Sequence, residues 1–203
     1  MIAIIDYGLG NIGSIKNMLK HVGASDVIFA QNEDDIFSAD KLILPGVGKF
    51  DAGMKKLNES GLRESLDTQV IKNKKPILGI CLGMQMLGLR SEEGNEEGLG
   101  YIDFECKIID SENGKIKVPH MGWDYVSVLK DNNLLKDTVE KKRFYFVHSY
   151  YAVCKNTDDI WMTCDYGMPI TAAVHKENIY GTQFHPEKSH KFGMELFEKY
   201  VRL

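Results

Sequence analysis

Four short apolar runs, Ile2–Ile5, Val27–Ala30, 42–44 and Ile77–Ile80, are separated by segments whose apolar residues recur at helical spacing. Ile12, Ile15, Leu19 and Val22 form one such stripe, Phe50, Met54 and Leu57 a second, and Leu62, Leu66 and Val70 a third. Runs that do not alternate with polar residues are strands buried on both faces, and parallel strands need crossover helices between them. Alternating runs at 106–109, 116–118, 125–129, 144–147, 160–164, 172–174 and 179–184, with Asn/Gly turns between several of them, predict a β-rich second half. A last helix carries Phe192, Leu196, Phe197, Tyr200 and Val201. No Pro/Gly/Ser-rich linker divides the 203 residues, so the pattern predicts one α/β domain with both halves in one sheet system.

Charge and composition remove several function classes. A formal charge of −4 offers no basic footprint for nucleic acid or an anionic membrane. No apolar stretch approaches the roughly 20 residues of a membrane span, and the first five residues lack the basic flank of a signal peptide. Cys81, Cys106, Cys154 and Cys164 contain no C-x-x-C pair, which predicts reduced thiols and a cytoplasmic location.

The chemistry concentrates around Gly79-Ile80-Cys81-Leu82-Gly83. This G-x-C-x-G is the cysteine form of a nucleophile elbow, where a strand turns sharply into a helix and exposes the central side chain. Backbone N–H groups at the helix start favour a thiolate and can receive an oxyanion. Downstream, FHPEKS at 184–189 supplies a base and an orienting carboxylate. Pro186 biases His185 toward extended geometry, which predicts that His185 and Glu187 share a face. His185 and His190 lack the spacing of a zinc helix, and no metal is expected.

Two glycine stretches remain. GLGNIG at 8–13 follows a strand and precedes a helix, so a dinucleotide-binding module is the rival from another function class, although the acidic partner it needs is poorly placed. LPGVGKF at 44–50 also links strand to helix and could present N–H groups to an oxyanion.

Taken in order, PGVG at 45–48, GICLGMQ at 79–85, HSY at 148–150 and HPEKS at 185–189 resemble the class I glutamine amidotransferases. With DYGLGN at 6–11 and KVPHMGW at 117–123 the chain is more narrowly similar to the glutaminase subunits of imidazole glycerol phosphate synthases. The resemblance implies a single glutamine amidotransferase type 1 domain over 1–203, with three layers around a flavodoxin-like, mostly parallel sheet. It implies Cys81, His185 and Glu187 as a triad that hydrolyses L-glutamine to glutamate and ammonia without a cofactor. Oxyanion donors would come from Gly46, Val47, Gly48 and Leu82, while Gln85, Glu93, Ser149 and Tyr150 would hold the substrate's amino-acid end. A chain of this size leaves no room for an acceptor domain. The family pairs it, as a heterodimer, with a (β/α)8-barrel cyclase that uses the ammonia to make imidazole glycerol phosphate and AICAR in histidine biosynthesis. Trp123 and Tyr145 match positions facing that cyclase, and Lys188 one near the ammonia exit. A similar glutaminase can instead feed a cell-surface sugar amidotransferase. Related cysteine peptidases usually place His directly after the elbow cysteine, where this chain has Leu82.

Overall fold

The computed structural model describes residues 1–135 and 141–203. Its strands are β1 (Ile2–Ile5), β2 (Val27–Ala30), β3 (Lys41–Leu44), β4 (Ile77–Ile80), β5 (Arg90–Ser91), β6 (Phe104–Ile108), β7 (His120–Val128), β8 (Lys142–His148), β9 (Tyr150–Cys154), β10 (Ile160–Asp165), β11 (Pro169–Lys176) and β12 (Ile179–Thr182). The helices are α1 (Ile12–His21), α2 (Glu33–Ser38), α3 (Phe50–Glu59), α4 (Arg63–Leu66), α5 (Leu82–Met86) and α6 (His190–Arg202).

All twelve strands join one mixed sheet, with the main path β2-β1-β3-β4-β12-β11-β10-β7-β8. Its first five strands are parallel, and from β12 onward the main path is antiparallel. The period of two in a strand sorts neighbouring side chains to opposite faces. Ala3, Ile5, Leu42 and Leu44 enter one core with Phe50, Met54 and Leu57 of α3. Ile2, Ile4, Ile43, Leu78 and Ile80 enter the other with Ile15 and Leu19 of α1 and Leu196, Phe197 and Tyr200 of α6. Helices thus cover both faces, in three layers, as parallel strands buried on both sides require.

The four early strands lie where the apolar runs predict. The strand expected at 116–118 is absent: Glu112, Asn113 and Gly114 all adopt positive φ, and Pro119 has no N–H for a ladder. α2 and β5 carry too little apolar periodicity to be read in advance, whereas β9 is an apolar run that only Ser149 separates from β8. α2 forms through the Asn32 side chain, which accepts from the Asp35 N–H, and three acidic residues in its first turn. The helix expected through Leu62, Leu66 and Val70 is α4 followed by a π turn at Asp67–Lys72.

The consequence for function lies at the carboxyl ends of β3, β4 and β12, three adjacent parallel strands. Leu44 leads into Pro45-Gly46-Val47-Gly48, Ile80 into Cys81, and Thr182 into Gln183 and His185. Ligand sites in open α/β sheets form at this edge because all the following loops converge there.

Candidate active site

Between β4 and α5 the chain reverses so tightly that Cys81 takes φ 54° and ψ −110°. A side chain there costs of order 1–3 kcal/mol in backbone strain. The geometry is held by its neighbours: Cys81 N–H donates to Thr182 O at 2.7 Å, and Gln85 N–H to Cys81 O at 3.1 Å. Glycine is required on both sides. A Cβ on Gly79 would lie 2.8 Å from Gly83 O and Met84 Cα, and one on Gly83 only 1.9 Å from Leu44 O. Gly83→Ala must therefore push β3 and its loop away from the elbow. The expected result is destabilisation by about 3 kcal/mol, at the upper end of overpacking costs. A shift in the urea unfolding midpoint measures it. α5 has only five residues, so its macrodipole is small and the free N–H groups at its start carry the electrostatic effect.

His185 is extended, with φ −99° and ψ 96°, but the chain then enters a 3-10 turn at Pro186–Lys188. Strand alternation therefore does not bring Glu187 to the imidazole; the turn does. His185 Nδ1–H donates to Glu187 Oε1 at 2.8 Å, and both side chains are almost fully buried. His185 N–H donates to Tyr145 O, while Ser189 Oγ–H donates to His185 O and Ser189 Oγ accepts from Tyr145 N–H. With Nδ1 committed, Nε2 is the nitrogen left to interact with Cys81. Burial alone lowers the imidazole pKa, but hydrogen bonds to Cys81 and Glu187, with their negative charges, outweigh it and raise the value to about 9. An imidazolium beside sulfur is the state from which a thiolate attacks and a leaving amine is protonated.

A cavity of about 300 Å³ opens on Cys81 and His185, lined also by Val47, Gly48, Leu82, Gln85, Glu93, Ser149 and Tyr150. That is the small end of ligand pockets and suits an amino acid. Among the described residues, the N–H groups of Val47, Gly48 and Leu82 make no hydrogen bond within the chain. Gly46 stands behind the cavity: a Cβ there would meet Gly83 N at 2.7 Å, Leu82 Cβ at 2.8 Å and Tyr7 Oη at 3.0 Å. Tyr7 Oη–H donates to Pro45 O at 2.6 Å, tying the loop to β1. Glu93 Oε2 accepts from Phe50 N–H at 2.8 Å, and Asp51 accepts from the N–H groups of Asn95 and Glu96, so the acidic loop clamps the start of α3. Gln85 donates to Tyr150 O at 3.1 Å.

Trp123, Tyr145 and Lys188 lie outside the cavity and cluster together. Trp123 meets Tyr145 edge-on at 6.1 Å and stacks on His190 at 5.3 Å, and Lys188 Nζ sits 5.8 Å above the Tyr145 ring. Sequence reasoning overlooked Tyr7, Pro119, His148 and Gln183, which hold the loop, line the cavity or touch the sulfur. Gln183 did carry a signal, as a polar residue between the buried strand β12 and the buried Phe184.

Of the glycines at 8–13, Gly10 is the one that serves close packing. Gly10, at φ 109°, lies against Pro45, where a Cβ would come within 2.8 Å. Gly13 faces open space, so it lacks the close helix-to-strand approach that the third glycine of a dinucleotide fingerprint provides.

The model of the family described as glutamine amidotransferase class-I matches residues 3–202. The chain belongs to the class-I glutamine amidotransferases. This amidotransferase is 55% identical over 203 residues, all of both chains, to imidazole glycerol phosphate synthase subunit HisH 2 of Pseudomonas aeruginosa. It is 52% identical over 202 residues to the subunit HisH 2 of Methanococcus maripaludis, covering 100% of this chain and 99% of that one. A solved structure of PurLQS from Thermotoga maritima matches with a TM-score of 0.75 at 18% identity, over 99% of the amidotransferase and 97% of that chain, which supports the shared fold.

Proposed function

We propose that this amidotransferase is the glutaminase subunit of an imidazole glycerol phosphate synthase, serving histidine biosynthesis. The carrying observation is full-length identity of 52–55% to subunits bearing that name, joined to a Cys81–His185–Glu187 constellation on an amino-acid-sized cavity. The names given to these relatives do not favour the surface-sugar alternative, and the packing of Gly10 and Gly13 does not favour the dinucleotide one.

In this reading Cys81 Sγ attacks the side-chain carbonyl carbon of glutamine. The N–H groups of Val47, Gly48 and Leu82 receive the negative oxygen. His185 Nε2 gives its proton to the departing nitrogen as the C–N bond breaks, releasing ammonia and leaving a glutamyl thioester. The neutral imidazole then takes a proton from water, whose oxygen displaces sulfur to give glutamate. Glu187 keeps Nδ1–H oriented and balances the imidazolium. Gln85 spends both N–H groups on Tyr150 O and Gln183 Oε1, which leaves Oε1 to accept from the substrate's ammonium. Glu93, Ser149 and Tyr150 complete that wall.

A subunit implies a partner, and a (β/α)8-barrel cyclase is the fold we assign to it. Outward residues of β7 offer a docking surface, with Met121 60%, Trp123 39% and Tyr125 55% exposed, beside Tyr145 and Lys188. Arg143 lies 5.5 Å from the Trp123 ring and holds it in place. Residues 1–203 act as one amidotransferase domain, a reading supported by the family match over 3–202. Among the described residues no helix is long and apolar enough to cross a membrane; we place the enzyme in the cytoplasm because a nucleotide-processing partner would work there.

Unpartnered glutaminase activity would waste glutamine, and the loop can provide the switch. Gly48 sits at φ 100°, open to glycine, and the Val47 and Gly48 N–H groups have no hydrogen bond among the described residues to hold them, so a peptide rotation there would turn a donor toward or away from the oxyanion. One oxyanion donor is worth about 10²- to 10³-fold in kcat. Glutamate release by the lone chain should therefore fall short by about that factor of release with the cyclase and its nucleotide substrate. Trp123→Ala should weaken partner binding about tenfold or more, as loss of a buried aromatic anchor does. Full activity of the lone chain rejects the switch, and unchanged binding by Trp123→Ala removes that residue from the interface.

A further inference from the structure

A hydrogen-bond chain runs behind the cavity wall, and its donors and acceptors can be assigned from one fixed point. Tyr150 O is a backbone carbonyl and can only accept. It meets His148 Nδ1 at 2.8 Å and Gln85 at 3.1 Å, so both must present N–H groups to it. The Gln85 amide is thereby oriented, and its nitrogen lies 3.0 Å from the Gln183 side chain, which must answer with Oε1. That choice leaves the Gln183 NH2 group facing Cys81 Sγ at 3.8 Å. Reversing either amide would set oxygen against oxygen or nitrogen against nitrogen. Gln183 is fully buried, so reversing its amide would leave a mismatch at Gln85 that no water reaches from the Gln183 side.

We propose that Gln183 is a positioning residue for the nucleophile, its amide donating to the Cys81 sulfur in a direction imposed by the Tyr150 carbonyl through Gln85. The same wall that receives the substrate thus aims a donor at the attacking atom. Besides His185, sulfur faces two partners at similar range, the Val147 carbonyl at 4.0 Å, to which a thiol donates, and the Gln183 amide, whose donation favours an electron-rich sulfur. Donation to the charged form favours that form, so Gln183 supports the thiolate against the Val147 carbonyl. A buried donor to a charged acceptor has an effect of about tenfold.

The inference rests on Cys81 being the nucleophile, and two readouts separate the claims. The first is the pH profile of Cys81 carboxamidomethylation by iodoacetamide in the full chain, followed on the Cys81 peptide by mass spectrometry, which reports the sulfur without any turnover. The second is glutamine-dependent kcat and KM with the synthase partner present. Gln183→Met keeps length and volume and removes the donor. We expect its alkylation profile to move to higher pH by about one unit and kcat to fall about tenfold, with KM within about twofold. Gln183→Glu keeps an oxygen toward Gln85 and sets an acceptor against sulfur, so its profile should move the same way; it answers the question if the Met variant does not fold. Unchanged profiles in folded variants overturn the proposal. Shifted profiles with unchanged glutamine turnover would leave the sulfur contact standing and instead reject Cys81 as the nucleophile.

Discussion

Cys81→Ala removes glutamine-dependent turnover by at least about 10⁴-fold while ammonium-dependent turnover of the partnered enzyme persists. The first loss follows from chemistry: without sulfur no thioester forms, and the oxyanion donors alone have no covalent intermediate to stabilise. The persistence follows from structure. The side chain is small and sits at the tip of a strained turn, where the fold is held by backbone contacts from Cys81 to Thr182 and Gln85 that alanine retains. Alanine still occupies the positive-φ position, so the strain stays and the surroundings still over-determine it. The measurement is cyclase turnover, first with glutamine and then with an ammonium salt. Appreciable glutamine-dependent turnover in the variant would place the nucleophile elsewhere.

His185→Asn is expected to cost at least about tenfold more in kcat than Glu187→Gln, since the first variant loses the group that moves the proton and the second loses only its charge balance and part of its orientation. Gln at 187 can still accept from Nδ1–H through its oxygen. Comparable losses would assign Glu187 a further role. The same pair gives a stability signature. The folded imidazole titrates near 9, above its ordinary 6.5. Its stabilising effect is therefore complete below about 6.5 and disappears as pH rises through about 9. The Tm advantage of the wild type over His185→Asn should shrink over that interval, and a constant difference from pH 6 to 10 would deny the imidazolium.

The distribution of what could be read beforehand has a physical basis. Continuous apolar runs announced β1 to β4 because strands buried on both faces tolerate nothing else, and the helical stripes announced α1, α3 and α6 because each needs one apolar face against the sheet. The elbow was equally legible. Its signature is the local pattern of Gly79, Cys81 and Gly83, while the contacts that fix its conformation, Leu44 O against Gly83 and Thr182 O on the Cys81 N–H, come from neighbouring strands. Elements decided by single polar contacts, such as α2 with its Asn32 cap, left no periodic trace.

By itself the sequence determined the layered α/β architecture, the elbow and the presence of a base with its carboxylate two residues on, all matters of short-range residue pattern and hydrophobic period. Only the tertiary structure decided that Glu187 reaches the imidazole through a 3-10 turn, that Glu93 and Tyr7 hold the loops at Phe50 and Pro45, and that Gln183, 102 residues from Cys81, directs its amide at the sulfur. Those relations depend on which parallel strands are neighbours and on which way buried amides face. Sheet order is set by the summed burial of the whole chain, and amide direction by hydrogen-bond partners that no local pattern names.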